Sequence, residues 1–395
     1  MSMTAQQERI STSDMTRKFF ALLVPLVLGA IVLTDLAINI IDGGSNWKQG
    51  DWLINSHLEH VRRGLLGSWI LMTADVLHAN PLYVLAALQA TILVILIACM
   101  AFVLQALAER REFYLLITSP GFFLIFWAAD PQGALRKELL VYCALALALT
   151  YPLYRSRFTI ALATVLFVVG CVGHEANVLF LPLFAAVLFL ISTDAQDQRF
   201  IRACGLIAAI GATISLAYGL YFARVEDIST ICRPLTDRGM PESMCKGAIR
   251  WLDRNTAYGI SRVVAKFEQP ARVLIFPIMY AMALAPLFYF AWLTARTRQI
   301  FLIYGLSVLP FLPLYVIATD WGRWMNWHIT SAIFLILAMA LTGRLQFARQ
   351  ATSVKFTCLT LLGLMWAAGH EEGTVFGGLL ARLFRDLEPW LLSLS

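Results

Sequence analysis

Residues 34–81 read TDLAINIIDGGSNWKQGDWLINSHLEHVRRGLLGSWILMTADVLHANP. The stretch follows the first strongly apolar run and precedes the second, so it is expected to be a loop between two membrane spans. It is no plain linker. Asp35, Asp42, Asp51, Glu59 and Asp75 stand in it beside the pair Arg62 and Arg63. Two short amphipathic pieces, about 50–62 and 65–78, are each too short to cross a bilayer and are expected to lie at its surface. A polar loop with interfacial helices, rich in carboxylates and carrying an arginine pair, reads as half of a site at a membrane face.

Composition agrees with a membrane setting. Hydrophobic residues make up 59% of the 395 positions and charged ones 14%, where a soluble domain carries about a quarter charged. Mean hydropathy is +0.71. The apolar runs have helix length, so the expected class is an all-α polytopic membrane protein rather than a barrel. The formal charge of +6 then concerns loops and the membrane surface, and nucleic acid is not an expected partner. The run near 19–41 is longer than the apolar core of a signal peptide and reads as a retained span.

Eleven spans are expected, at about 18–41, 81–107, 114–129, 137–153, 158–173, 176–192, 201–223, 272–293, 300–319, 327–342 and 355–369. Basic residues in short loops favour the cytoplasm. With the N-terminus inside, this count places six basic clusters there: Arg9, Arg17 and Lys18; Arg110 and Arg111; Arg155 and Arg157; Arg199 and Arg202; Arg296 and Arg298; Arg344, Arg349 and Lys355. Residues 1–17 form a cytoplasmic tail in this reading, and 18–395 form one transmembrane domain. Its outer loops are 42–80, 224–271 and 320–327, and the tail 370–395 is also outside. The chemically unusual strings all fall on that outer face: ADPQGALRKE (129–138), GHEAN (173–177), DWGRWMNWH (320–328) and HEEG (370–373). Residues 378–394 read as a further interfacial helix. The working face expected from these features is outside the cytoplasm.

Cys99, Cys143, Cys171, Cys204 and Cys358 lie in or beside apolar spans and read as buried small hydrophobes. Cys232 and Cys245 sit together in the long outer loop, where an oxidising compartment favours a disulfide. No metal-ligand spacing of His and Cys occurs, so no metal site is assigned; a divalent cation held by carboxylates stays open.

Each polar candidate has a plainer alternative. Asp35 at the outer end of the first span is costly there unless it caps, pairs or works. Asp42 and Asp51 are more exposed and weaker signals. Arg62 and Arg63 suit bidentate phosphate recognition, or they snorkel to lipid headgroups. Asp130 ends the third span at a proline turn. Arg136 and Lys137 lie on the side that the positive-inside rule leaves poor in cations, so an anion, either a lipid phosphate or Glu138 and its neighbours, should compensate them. His174 and Glu175 form an ionisable pair between short spans, functional or merely tying two helices. Trp321, Trp324 and Trp327 recur at spacing three among Asp320, Arg323 and His328; they form an interfacial belt or a sugar-stacking platform. The 224–271 loop is basic on balance and could hold an anionic lipid carrier or a glycan, or simply be a solvated cap.

This layout resembles the GT-C class of membrane glycosyltransferases. In that class an acidic residue stands near the outer end of the first span, a first outer loop with juxtamembrane helices follows, and a further acidic residue often sits in the next outer loop. Asp35 (or Asp42), the 43–80 loop and Asp130 occupy those places, although the Asp-Glu or Glu-Asp pair of several such families is missing here. More loosely, the chain is similar to polymerases and ligases of O-antigen and other surface polysaccharides. Both resemblances imply glycosyl transfer outside the cytoplasm from a polyprenyl-phosphate or -diphosphate carrier to a glycan or lipid-linked acceptor, in contact with membrane lipid. They imply Asp35 as the base, Asp130 assisting, and Glu175 or His174 orienting the acceptor or replacing the base. Arg62, Arg63, Arg136 and Arg323 would meet the phosphate, with Asp42, Asp51, Lys137, Asp320, Trp324 and His328 completing substrate contacts. The competing class is a transporter or flippase of a lipid-linked or anionic substrate. A clustering of acids on one face and the lack of an evident inverted repeat speak against it.

Overall fold

A computed structural model describes residues 3–193, 195–370, 374–376 and 378–394. Glu371, Glu372 and Gly373 of the tail string lie outside the described residues. The chain is built of helices: α1 (Met3–Ile41), α2 (Lys48–Trp52), α3 (Gly64–Leu77), α4 (Pro81–Ala106), α5 (Phe113–Ile117), α6 (Phe123–Ala129), α7 (Glu138–Tyr154), α8 (Arg157–Gly173), α9 (Leu181–Ile191) and α10 (Ala195–Tyr221). There follow α11 (Ser229–Thr236), α12 (Thr256–Phe267), α13 (Pro270–Leu293), α14 (Thr297–Val308), α15 (Leu314–Ile317), α16 (Trp321–Leu341) and α17 (Ser353–Met365). A three-residue antiparallel pair, β1 (Trp366–Ala368) with β2 (Thr374–Phe376), then leads to α18 (Gly378–Leu394).

Among the described residues, six helical stretches are long and apolar enough to cross a membrane: Met15–Ile41, Pro81–Ala106, Ala195–Tyr221, Val273–Leu293, Thr297–Ile317 and Trp321–Leu341. Four more of the expected spans fall on shorter apolar helices, Glu138–Tyr154, Arg157–Gly173, Glu175–Ile191 and Ser353–Met365. The protein is therefore a polytopic helical membrane protein. The expected span 114–129 is interrupted: it is two short helices, α5 and α6, separated by Thr118–Phe122. Pro120 cannot continue a helix and disfavours it for Ser119. The exposed backbone is satisfied by neighbouring helices. Asn326 Nδ2 donates to the Gly121 carbonyl (2.9 Å) and Thr330 Oγ1 accepts from Phe123 N (3.1 Å). Irregular backbone survives at such depth only when protein groups pair with it. Gly121 also lets α16 close in, since a Cβ there would stand 2.2 Å from Ile329 Cδ1.

Two helices form the centre. In α7 all of Glu138–Tyr151 is buried, and in α16 all of Trp321–Met339. A helix apolar on every side has no face to offer water and belongs inside a bundle. Both bring their N-terminal ends to the same end of the molecule.

The first loop differs in part from expectation. Its second piece is helix α3, but the first is only the single turn α2, followed by irregular chain. Buried donors fix the turn opposite it: Trp52 Nε1 (2.9 Å) and Gln89 Nε2 (3.1 Å) both donate to the carbonyl of Leu135, a residue in the left-handed region with φ 57°. The long loop folds over the first one. Ala248 N donates to the Asn46 carbonyl (3.1 Å), Asn55 Nδ2 to the Ile231 carbonyl (2.9 Å), and the rings of Trp47 and Trp251 lie 5.9 Å apart. Cys232 and Cys245 are joined in a disulfide within that loop.

The basic turns meet away from these loops. Arg17 Nη1 donates to the Glu109 carbonyl (3.3 Å), Tyr114 Oη to the Arg17 carbonyl (2.9 Å), and Ala295 N to the Gln346 carbonyl (2.9 Å).

Candidate functional site

The loops assigned to one face by sequence converge on a cavity of about 460 Å³. The first loop gives Trp47, Asp51, Arg62 and Arg63; the turn before α7 gives Gln132 and Arg136. The α8–α9 turn gives His174 and Glu175, the long loop gives Trp251, Arg254, Tyr258 and Arg262, and the start of α16 gives Asp320, Arg323 and Trp324. His370 closes the wall from the C-terminal segment. Six guanidinium groups (Arg62, Arg63, Arg136, Arg254, Arg262, Arg323) thus face three carboxylates (Asp51, Glu175, Asp320). The excess is cationic, which suits an anionic occupant.

The cations fall into two kinds. Some are fully engaged. Arg63 makes a bidentate pair with Glu175, Nε to Oε2 at 2.7 Å and Nη2 to Oε1 at 2.6 Å. This pair holds Arg63 in the left-handed region (φ 65°) just before α3, a conformation that costs a non-glycine residue about 1–2 kcal/mol. Arg323 makes a second bidentate pair, with Glu138 at the start of α7, at 2.9 and 2.6 Å.

Others have donors to spare. Arg136 spends its terminal nitrogens on the carbonyls of Trp47 (2.8 Å) and Gln132 (3.4 Å), and its Nε is buried without a partner. The Nε of Arg62 and the indole Nε1 of Trp324 are likewise buried and unpartnered. Unpaired buried donors are costly, and all three belong to residues that line the one cavity.

Asp51 sits among cations, with Lys137 Nζ at 3.8 Å and Arg63 Nη1 at 3.9 Å. Burial alone would raise its carboxyl, but Lys137 and the guanidinium groups of Arg63 and Arg136 outweigh that and hold it below the usual carboxylate range. His174 is pushed well below its ordinary range by burial and by Arg63. It is neutral, and its Nδ1 accepts from Ala176 N (3.1 Å), so the ring proton resides on Nε2 and His174 has no free basic nitrogen.

Several expected site residues stand outside the cavity lining. Asp35, expected as the base, is buried outside the cavity lining, where Arg382 of α18 donates to it and also to the Ala128 carbonyl. Asp42 is exposed at the end of α1. Lys137 lies behind the wall, donating to the Gly173 carbonyl at 2.8 Å. His328 is a turn deeper in α16, its Nδ1 2.8 Å from Tyr280 Oη and its ring against Phe311. Of the three tryptophans only Trp324 lines the cavity; Trp327 is fully buried against Phe180 and Phe311. Asp130 is buried behind the wall and bonded to His370. Glu175 does line the cavity, but Arg63 consumes both its oxygens.

Sequence reasoning did not single out Arg382, Glu138, Trp47, Trp251, Arg254, Arg262 or His370 as site residues. The signal available for His370 was its place in a polar string on the expected outer face. Among the described residues no three His, Cys, Asp or Glu side chains gather to hold a metal ion, so no step is assigned to one. Comparison with protein-family models, with curated proteins and with solved structures returns no match.

Proposed function

We propose that the chain is a multi-pass membrane glycosyltransferase of GT-C-like design. It takes a sugar or oligosaccharide from a polyprenyl-phosphate or -diphosphate carrier and passes it to a glycan or lipid-linked acceptor outside the cytoplasm. The observation that carries this reading is the arginine-rich cavity with buried, unpartnered donors on Arg62, Arg136 and Trp324. Guanidinium groups fixed before the substrate arrives stabilise a phosphate that gains charge as it leaves. Trp47, Trp251, Tyr258 and Trp324 on the same walls offer flat apolar faces for a sugar ring. The apolar tail of the carrier would remain in the bilayer.

The reading implies eleven crossings, the N-terminus in the cytoplasm and the cavity outside, in a bacterial inner membrane. Reporter fusions after Arg298 and after Gly239 are expected to report inside and outside respectively; the reverse pair would invert the orientation and place the cavity in the cytoplasm.

The direct test uses purified protein, a panel of polyprenyl-phosphate sugars and crude acceptor glycan. Wild type should form product. Arg136→Ala should weaken donor binding about tenfold to a hundredfold, the loss of one charge-assisted contact of about 1.5–3 kcal/mol. Arg136 bonds only backbone carbonyls, so the fold should tolerate the change. Flux of a lipid-linked substrate across proteoliposomes with no glycosidic product would favour the transporter instead.

A further inference from the structure

A transfer of this kind needs a group that accepts the acceptor's proton, and the cavity's acids are poorly suited to it. Glu175 is held on both oxygens by Arg63. Asp51 is surrounded by cations that favour its charged, weakly basic form, and Asp320 lies 3.5 Å from Arg323. His174 has its Nδ1 lone pair engaged.

One pair at the wall has a different arrangement. Asp130 Oδ2 accepts from the backbone N of His370 at 2.7 Å and from its Nδ1 at 2.9 Å, while Asp130 Oδ1 accepts from Gln132 N at 3.1 Å. Asp130 is 6% exposed, whereas the His370 side chain keeps 24% exposure and lines the cavity. With its hydrogen on Nδ1, directed at the carboxylate, the ring carries its lone pair on Nε2. Among the described residues no group hydrogen-bonds that nitrogen. The backbone is brought close on purpose-built ground: a Cβ at Gly322, in the first turn of α16, would stand 1.9 Å from the Gly369 carbonyl oxygen. The C-terminal segment therefore seats His370 beside Arg323 and Trp324 at the same helix end.

We infer that His370 is the proton acceptor of the transfer and Asp130 its positioning residue. This rests on the glycosyl-transfer reading above. The acceptor oxygen bonds to the anomeric carbon as the bond from that carbon to the phosphate oxygen breaks, and the bonding pair leaves with the phosphate. The acceptor's proton moves to His370 Nε2 and from there to water. Asp130 fixes the tautomer and balances the imidazolium charge while it lasts.

The test compares wild type, His370→Ala, His370→Gln and Asp130→Asn with one polyprenyl-phosphate sugar that wild type uses. His370→Ala should lose about a hundredfold to ten-thousandfold in kcat, keep its affinity for the donor, and regain turnover when imidazole is added. His370→Gln, which fills the space, should be inactive, bind donor and not respond to imidazole. Asp130→Asn should lower kcat with donor KM unchanged. Wild-type turnover with His370→Ala equally active would overturn the base and leave the glycosyltransferase reading standing. His370→Ala and His370→Gln both losing donor binding would make His370 structural and overturn the inference in the same way. A wild type inert toward every donor would overturn both.

Discussion

Replacing Glu138 with alanine is expected to destabilise the protein by about 3–5 kcal/mol, the usual cost of stranding one member of a buried ion pair. Glu138 is 1% exposed and Arg323 6%, and they meet through two hydrogen bonds of 2.9 and 2.6 Å. The pair joins the N-terminal ends of the two central helices, α7 and α16. Trp327 Nε1 adds a longer contact to the same carboxylate at 3.4 Å, and a carboxylate at the first residue of α7 is also favoured by the helix dipole. Glu138→Ala removes the paired anion and leaves the buried guanidinium with only the longer contact to Asp320 at 3.5 Å. Thermal unfolding in detergent should show a much lower midpoint for Glu138→Ala, with most of the loss recovered in Glu138→Leu/Arg323→Met, where no charge is left behind. Single variants within about 1 kcal/mol of wild type would show that water or lipid phosphate already compensates Arg323. Arg323→Ala should fail in two ways, in stability and in donor binding, because the same guanidinium lines the cavity. Arg136→Ala should fail in donor binding alone.

The contrast between these arginines explains what the sequence could show and what it could not. Helix-length apolar runs are legible because the bilayer fixes their length, and the polar strings between those runs stand out against them. That reasoning located the loops that build the cavity. It could not say which charges neutralise one another, since the partners lie far apart in the chain: Glu138 and Arg323 by 185 residues, Arg63 and Glu175 by 112, Asp130 and His370 by 240, Asp35 and Arg382 by 347. A carboxylate at a membrane boundary looks the same in sequence whether it holds a helix or accepts a proton. Periodicity misled in a similar way for the tryptophans. Spacing three turns each successive ring about 60° around α16, so Trp321 packs on Phe276, Trp324 reaches the cavity and Trp327 enters the core. The break at Ser119–Gly121 was hidden by an apolar run that hydropathy reads as continuous. Only the side chains of α16 reveal how that broken backbone is satisfied.

Asp35→Ala is expected to cost about as much stability as Glu138→Ala, roughly 3–5 kcal/mol, while the protein that remains folded keeps its turnover. Asp35 is 7% exposed near the C-terminal end of α1, and Arg382 of α18 is 8% exposed. Arg382 bonds Asp35 and the Ala128 carbonyl together, so it ties the C-terminal helix to the first span and to the end of α6. A third charge depends on the same carboxylate. Lys48 in α2 is pushed down to about 8 by burial, and Asp35 is the charge that most opposes that fall. Without Asp35 two buried cations lose their nearest compensation, and Lys48 should shed its proton more readily still. A double-mutant cycle over Asp35→Ala and Arg382→Met should therefore show strong coupling, the double variant being more stable than Asp35→Ala alone. The kinetic half of the experiment separates a strut from a base. If Asp35 accepted the substrate's proton, Asp35→Asn would lose activity while its midpoint barely moved. If it anchors α18, destabilisation and activity should part, with kcat per folded molecule near wild type in both Asp35 variants. The anchor has one consequence for the site itself: α18 follows the segment that carries His370, so loosening Arg382 should reach turnover only by shifting His370 from the cavity wall, an effect that added imidazole would relieve.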